Sequence, residues 1–234
     1  ARKNYYLSFL TEPICIESNL DLVAPDAFNV EISLGLAMSK AYLVKFITKT
    51  FFYRRIISNP SYYGLASNKP EFLADYASDL VDRTTEYLRE LHAIEVYDEE
   101  AAAMNNEEDQ KSSLAVLSDD VSIAILPIGQ IAANHRIDPS TASLLAEMIT
   151  KDCGHNKLLR IVCGSTEMRN IPLRSPKIVA ELMKKFPDFA VGCEPDDPSS
   201  FAAVLLKSHM SRVNIPDECR DPLNMVCTSF LRIA

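Results

Sequence analysis

The amino-acid sequence predicts a mainly α-helical protein in which a small domain with a β-hairpin precedes an α-helical bundle. Glycine is scarce, with six residues among 234, and apolar residues recur at three- and four-residue spacing along most of the chain, which is typical of helices. The helical spacing is interrupted between Ile94 and Leu117, where two short strand-like runs flank a polar segment. The apolar fraction of 47% is ordinary for a folded globular chain.

Three helices are predicted in the first domain, after a connector at residues 1–17. The first helix runs from Ser18 to Gly35. The second is predicted as one continuous helix that Ser39 caps and that ends before Asn59–Pro60, because Pro60 cannot continue a helix. The third runs from Pro70 to His92, with apolar residues at three- and four-residue spacing.

A β-hairpin is predicted after the third helix, with strands at 94–97 and 114–117. The segment between them, residues 98–113, is acidic, alanine-rich and polar. Three helices followed by a hairpin is the order of a winged-helix domain, so residues 18–120 are predicted to form one, with 98–113 as a long acidic wing insert that we expect to be mobile.

The remaining chain, residues 121–234, is predicted to be the N-terminal part of a helical bundle. Helical patterns from 121, 139, 156 and 175 are each closed by glycine or proline. Ser199 or Ser200 is predicted to cap the next helix, and a final helix begins near Asp217. Because that helix has no C-cap signal before the sequence stops, we expect the bundle to be truncated at its C-terminal end.

The most distinctive stretch is the helix stop at residues 51–65. A basic pair, Arg54 and Arg55, precedes the Asn59–Pro60 turn, and Tyr62 and Tyr63 follow it. Tyrosine combines a large apolar body with a polar tip and therefore suits a residue that fixes a turn against a neighbouring element.

Charge and cysteine content exclude some classes of protein. The 24 basic and 32 acidic residues give a formal charge of −8, so binding to nucleic acid would have to be local. The six cysteines are scattered without a C-x-x-C pair, which favours buried thiols over the alternative of a zinc site. The sequence has no run of about 20 apolar residues and no signal-peptide pattern. We therefore expect a cytosolic or nuclear protein.

Neither catalytic nor cofactor-binding residues can be assigned. The four histidines lack partners at triad or metal-ligand spacing, and the glycine-rich phosphate-binding motifs are missing. Lys45 and Lys49 lie one helical turn apart and are candidates for contacts with nucleic-acid phosphates, although the usual explanation of such a pair is a solvated helix face.

Several collinear segments resemble a known family. The stretch Phe51-Phe-Tyr-Arg-Arg-Ile-Ile-Ser-Asn-Pro-Ser-Tyr-Tyr-Gly-Leu65 is similar to the R-R-x-x-x-N-P-x-Y-Y signature that follows the RecA-like domains of Ski-two-like helicases. Segments at 5–20, 28–32, 167–174 and 205–212 resemble further motifs of the same family in the same order. The chain departs from the family pattern at 128–137 and at 175–177, and its wing insert is unusually long.

The resemblance implies a Sec-sixty-three-type module, meaning a winged helix plus a helical bundle. It is closest to the C-terminal cassette of the spliceosomal Brr-two-type helicases of the U5 small nuclear ribonucleoprotein. The resemblance thus implies a non-catalytic regulatory and protein-docking part of a nuclear ATP-dependent RNA helicase that acts in pre-mRNA splicing. The alternative is a strand-engaging ratchet in an active RNA or DNA helicase of the activating signal cointegrator type.

The resemblance also implies partners and residue roles. The partners would be the RecA-like domains of the same parent chain, which bind ATP and Mg²⁺, other spliceosomal proteins and single-stranded RNA, with no membrane. Ser229 and Arg232 would lie at the beginning of a ratchet helix that meets nucleic acid, with structural ion pairing as the alternative for the arginine. The helix-stop residues and a distal arginine would tie the winged helix to adjacent domains; these are Arg54, Arg55, Asn59, Pro60, Tyr62, Tyr63 and Arg174.

Overall fold

A computed structural model describes residue 6 and residues 16–97, 122–173 and 176–233. The described chain is mainly helical, which confirms the predicted fold class. Its first part contains the 3₁₀ helix Leu20–Leu22, α1 (Ala24–Ser33), α2 (Lys40–Thr48), α3 (Phe51–Ser58), the 3₁₀ helix Pro60–Tyr63 and α4 (Pro70–Glu90). The predicted wing insert at 98–113 lies outside the described residues.

The second predicted helix is two helices in the structure, so the prediction of one continuous helix is wrong. The Thr50 side chain accepts a hydrogen bond from the Tyr53 backbone N–H and donates one to the Ile47 carbonyl. Threonine thus caps the start of α3 directly after α2 has ended, which the apolar spacing across the break does not indicate.

A two-stranded antiparallel sheet joins β1 (Ile94–Tyr97) to β2 (Ser122–Ile125), with Ile94 opposite Ile125 and Val96 opposite Ile123. The helical region predicted from residue 121 therefore opens with a strand at 122–125, and its first helix begins at Pro127. The predicted strand at 114–117 lies outside the described residues. Ser39 forms a single β-bridge to Ser122, and the Ile123 N–H donates to the Met38 carbonyl, so the start of α2 is tied to the sheet.

The elements that follow β2 are all helices in the described residues. They are α5 (Pro127–His135), α6 (Pro139–Met148), α7 (His155–Cys163), α8 (Thr166–Arg169), α9 (Pro176–Lys184), α10 (Pro187–Ala190), α11 (Pro198–Met210), the 3₁₀ helix Asp217–Cys219 and α12 (Arg220–Ile233). None of the helices in the described ranges combines the length and the apolar character that a membrane crossing needs.

Helix α11 forms the centre of the bundle. Its residues Phe201 to Leu206 are all buried, because α7, α8, α9 and α12 pack around it. The predicted cap at Ser199 or Ser200 is wrong, since Asp197 is the N-cap and its carboxylate accepts from the backbone N–H groups of both serines. A carboxylate at this position also complements the helix dipole.

The two parts of the chain pack together through α1 and α5. The Asn29 side chain donates to the Gly129 carbonyl at 2.9 Å, and Gln130 Nε2 donates to Ser33 Oγ at 2.9 Å. Gly129 is buried at this crossing, and a Cβ atom there would lie 2.3 Å from the Ala93 carbonyl oxygen. The absence of a side chain at Gly129 therefore allows α5 to lie against the Ala93 carbonyl and the Asn29 side chain of α1.

Candidate functional site

Three side chains from the helix stop converge on the carboxylate of Glu17. Arg55 donates to both carboxylate oxygens, from Nε at 3.2 Å and from a terminal nitrogen at 2.8 Å. Asn59 Nδ2 donates at 2.9 Å and the Tyr63 hydroxyl lies 3.0 Å from the other oxygen. We call Glu17, Arg55, Asn59 and Tyr63 the Glu17 cluster.

The Glu17 cluster is a partly buried ionic site. The exposed fractions of the Arg55 and Glu17 side chains are 19% and 14%. The hydrogen bonds from Arg55 and then Asn59 stabilise the carboxylate and lower the pKa of Glu17 to about 2, although desolvation acts in the opposite direction. A two-point arginine–carboxylate bond fixes both distance and orientation, so the cluster holds the chain entering the domain against the helix stop.

Aromatic packing supports the same cluster. The Tyr63 ring meets Phe52 edge-on at 5.3 Å and Tyr62 at 5.0 Å between ring centroids. Its hydroxyl also accepts from the Ser18 N–H at 3.0 Å. Phe52 is fully buried in the core of the winged helix, so Tyr63 connects that core to the ionic cluster.

The other predicted helix-stop residues lie around the Glu17 cluster but outside it. Arg54 is exposed on α3, Pro60 begins the short 3₁₀ helix, and Tyr62 is 58% exposed. Arg174 lies outside the described residues. The role of these residues toward adjacent domains stays a prediction.

The predicted nucleic-acid contacts fall into two separate places. Lys45 and Lys49 are exposed at the C-terminal end of α2. Ser229 and Arg232 lie on α12, where the Arg232 guanidinium donates to the Arg136 carbonyl. Their contact with nucleic acid stays a prediction.

Arg232 borders a cleft of about 500 Å³ between the winged helix and the bundle, which we call the junction cleft. The winged helix contributes Asp26 and the bundle contributes Arg136, Asp138 and Glu167. Partial burial and the nearby Asp138 and Glu167 raise the pKa of Asp26, while Arg232 lowers it. The cleft thus contains three carboxyl groups and two guanidinium groups, and a phosphate gains little from such a balanced site.

Neither the role of Glu17 nor the junction cleft was predicted from the sequence. Glu17 lies inside the segment at 5–20 that resembles the family, but an isolated glutamate carries no signal of its partners 38 to 46 residues away. The junction cleft unites residues more than 100 positions apart in sequence. Only covariation between homologous sequences would indicate such pairs.

Within the described ranges, no group of histidine, cysteine and acidic side chains could hold a metal ion. Cys163 and Cys219 are buried, whereas Cys153, Cys193 and Cys227 are partly exposed. Burial raises the pKa of the Cys163 thiol to about 12, which makes it unreactive at neutral pH.

Comparison with family models gives two matches that follow the architecture. Residues 17–98 match the winged helix-turn-helix domain model, and residues 125–234 match the Sec-sixty-three Brl domain model. This chain is a winged helix-turn-helix domain joined to a Sec-sixty-three Brl domain. The Glu17 cluster lies at the start of the first domain of this Sec-sixty-three-type module, and the Asn29–Gly129 contact joins the two domains.

Relatives cover nearly the whole module. The U5 small nuclear ribonucleoprotein 200 kDa helicase of Homo sapiens is 28% identical over 235 residues, which is 100% of this chain and 10% of the relative. The pre-mRNA-splicing factor brr2 of Schizosaccharomyces pombe is 30% identical over 217 residues, or 92% of this chain and 9% of the relative. The activating signal cointegrator 1 complex subunit 3 of Bos taurus has the same identity and coverage.

The module therefore spans about a tenth of the length of the curated relatives that it matches. It is homologous to a segment of spliceosomal helicases, and the family predicted from the sequence motifs is confirmed.

Proposed function

We propose that this module is a non-catalytic regulatory and protein-docking part of a nuclear ATP-dependent RNA helicase that acts in pre-mRNA splicing. The observation that carries the proposal is the alignment with the U5 200 kDa helicase over 100% of the chain, across both domains. ATP and Mg²⁺ would be bound by the RecA-like domains of the parent protein, and this chain would contact those domains and other spliceosomal proteins.

The physical properties of the module support a docking role. The formal charge of −8 disfavours general attraction to RNA. The two domains are joined by buried side-chain contacts such as Asn29 with Gly129. Because these contacts hold the two domains in one arrangement, the module loses little conformational entropy when it binds a partner.

A second candidate is a strand-engaging ratchet in an active helicase of the signal cointegrator type. The relative from Bos taurus is 30% identical over 92% of this chain, the same values as for the spliceosomal factor brr2 of Schizosaccharomyces pombe. Ser229 and Arg232 are the residues of α12 that would meet the strand, together with Lys45 and Lys49 on the winged helix. Structural pairing of Arg232 with the Arg136 carbonyl is the alternative.

Two measurements on the same purified chain separate these candidates. The first is affinity capture from nuclear extract followed by mass spectrometry, in which we expect the chain to retain proteins of the U5 particle. The second is fluorescence anisotropy with a labelled single-stranded oligouridine between about 50 and 200 mM salt, where a ratchet that neutralises several phosphates would lose affinity steeply.

The docking proposal expects weak binding of the oligonucleotide, unchanged in the variants Lys45→Glu with Lys49→Glu and Arg232→Glu. Tight binding that falls steeply with salt and is lost in these variants would favour the ratchet. If neither RNA nor any U5 protein is bound, the proposed docking role is wrong.

A further inference from the structure

The bundle has a basic-edged groove at its surface, away from the junction cleft. The groove has a volume of about 520 Å³, and its walls come from α6, α7, α8, α10 and the first turn of α11. We call it the bundle groove. Clefts of this size commonly hold a ligand or a few side chains of a peptide.

The floor of the bundle groove is apolar. Leu144 and Met148 line it from α6, Ile161 from α7 and Phe189 from α10. Met148 is 43% exposed, whereas Phe189 is only 3% exposed. The floor therefore offers aliphatic surface for an inserted side chain, but its aromatic ring is too enclosed to stack on a nucleic-acid base.

Basic side chains border this floor. Lys157, Arg160 and Arg169 line the groove, against the single carboxylate of Asp188. In the chain as a whole the balance is reversed, with 24 basic and 32 acidic residues. The groove is thus a local basic site on an acidic protein, which attracts an acidic ligand.

Two of these cations are available for a ligand. Arg160 is occupied, because its guanidinium donates to the carbonyls of Val191 and Gly192. Lys157 and Arg169 form no ion pair among the residues that the structure describes. Asp197 attracts Arg169, but the carboxylate oxygens of Asp197 already accept hydrogen bonds from Ser199 and Ser200.

The amino end of α7 adds to the positive field. The helix begins at His155 behind Gly154, which provides no side-chain cap, so its first N–H groups and the dipole favour negative charge. Asn156 and Lys157, in this first turn, both line the groove. Lys207 lies beside it as well, bonded to Asn156 Oδ1 and 5.6 Å from the centre of the Phe189 ring.

We propose that the bundle groove binds a short acidic segment of a partner protein. An aliphatic side chain of the segment enters between Met148 and Ile161, and its flanking carboxylates meet Lys157 and Arg169. This inference rests on the proposed docking function and gives that function a surface and a partner chemistry.

The test selects peptides from a displayed library of random dodecapeptides on the immobilised chain and measures their affinity as labelled peptides by fluorescence polarisation. We expect selected peptides to carry an aliphatic residue between Asp or Glu residues. The double variant Lys157→Glu, Arg169→Glu should bind them about tenfold more weakly, since two exposed charge pairs are reversed. Met148→Ser should also weaken binding.

The matched control is Lys69→Glu with Arg83→Glu, which makes the same change of charge at exposed positions of the winged helix and should leave the affinity unchanged. Peptides in which Asp and Glu are replaced by Lys should prefer the Lys157, Arg169 double variant over the original chain. That reversal of preference cannot result from misfolding.

The groove proposal is overturned if selected peptides lack acidic residues, if both double variants bind equally, or if oligouridine displaces the peptides in competition. It is also overturned as the docking surface if U5 proteins are retained equally by the original chain and by the Lys157, Arg169 double variant, an outcome that leaves the proposed function intact. Peptide binding at the groove without retention of any U5 protein would support the groove and contradict the proposed function.

Discussion

At the scale of single residues, the most informative group is the Glu17 cluster. One carboxylate there satisfies three donors from the helix stop, namely Arg55, Asn59 and Tyr63. Removing the carboxylate charge removes the ion pair between Glu17 and Arg55, whose side chains are both mostly buried, and this costs more than the loss of an exposed ion pair.

We therefore predict that Glu17→Gln lowers the Tm at neutral pH. The folded-state pKa of Glu17, about 2, is below the ordinary value of 4.5. The stabilisation from the charged carboxylate is thus fully present above pH 4.5 and is lost as the pH falls toward 2. Thermal unfolding followed by circular dichroism should show a Tm difference between the two proteins that shrinks over this interval.

Glu181→Gln is the control for this experiment, because Glu181 is exposed on α9 and the substitution should leave the Tm nearly unchanged. A Tm difference for Glu17→Gln that is constant down to pH 2 would show that the charge of Glu17 is not responsible.

Tyr63 tests the packing part of the same cluster. Tyr63→Ala should destabilise the protein by about 2 to 4 kcal/mol, because it removes a large ring that packs on buried Phe52. Tyr63→Phe keeps the ring and loses only the hydroxyl bonds to Glu17 and Ser18, so about 1 kcal/mol is expected. Urea unfolding measures both values. If the two variants lose the same free energy of unfolding, the whole effect belongs to the hydroxyl and the packing argument is wrong.

At the scale of elements, the junction of α1 and α5 depends on Gly129. Gly129→Ala should destabilise the protein by about 1 to 3 kcal/mol, although alanine is the better helix former. The added Cβ would lie 2.7 Å from Asn29 Oδ1 and 2.3 Å from the Ala93 carbonyl oxygen. The Ala93 oxygen is a backbone atom, which cannot move aside as the end of a flexible side chain can.

Gly154→Ala is the matched control, since a Cβ at Gly154 meets nothing within 4 Å. Urea unfolding of both variants should show a loss for Gly129→Ala only. If the Gly129→Ala variant has the same free energy of unfolding as the original chain, the two helices can separate without cost and the prediction is wrong.

At the scale of the whole molecule, hydrogen bonds connect the winged helix to the bundle. Strand β2 leads into α5 through Leu126, whose N–H donates to the Ala93 carbonyl at 2.9 Å. The Asn29–Gly129 bond crosses the same boundary. When one domain unfolds, these contacts are lost, and the face of the other domain that they covered becomes exposed to solvent.

We predict that the two domains unfold together in one transition. Differential scanning calorimetry should give a calorimetric enthalpy equal to the van't Hoff enthalpy, which is the test for two-state unfolding. Two resolved transitions, or a Gly129→Ala variant in which only one half is destabilised, would contradict this coupling.

The sequence predicts the parts of this molecule that depend on local rules. Helix α3 ends at Ser58, just before Asn59–Pro60, and Gly35 adopts the left-handed conformation just after α1 ends. The motif resemblance predicts the family, which the family models confirm. The break between α2 and α3 was missed because Thr50 is compatible with both a helix interior and a cap, and apolar spacing does not distinguish them.

What the sequence by itself determined is the helical character, the order of the two domains and the membership of the family, because periodicity, turn residues and collinear motifs are local along the chain. Only the tertiary structure decided that β2 is at 122–125, that the Glu17 carboxylate is bonded by Arg55, Asn59 and Tyr63, and that Lys157 and Arg169 line one groove. These features depend on contacts between residues far apart in sequence, and local patterns do not specify which distant groups meet.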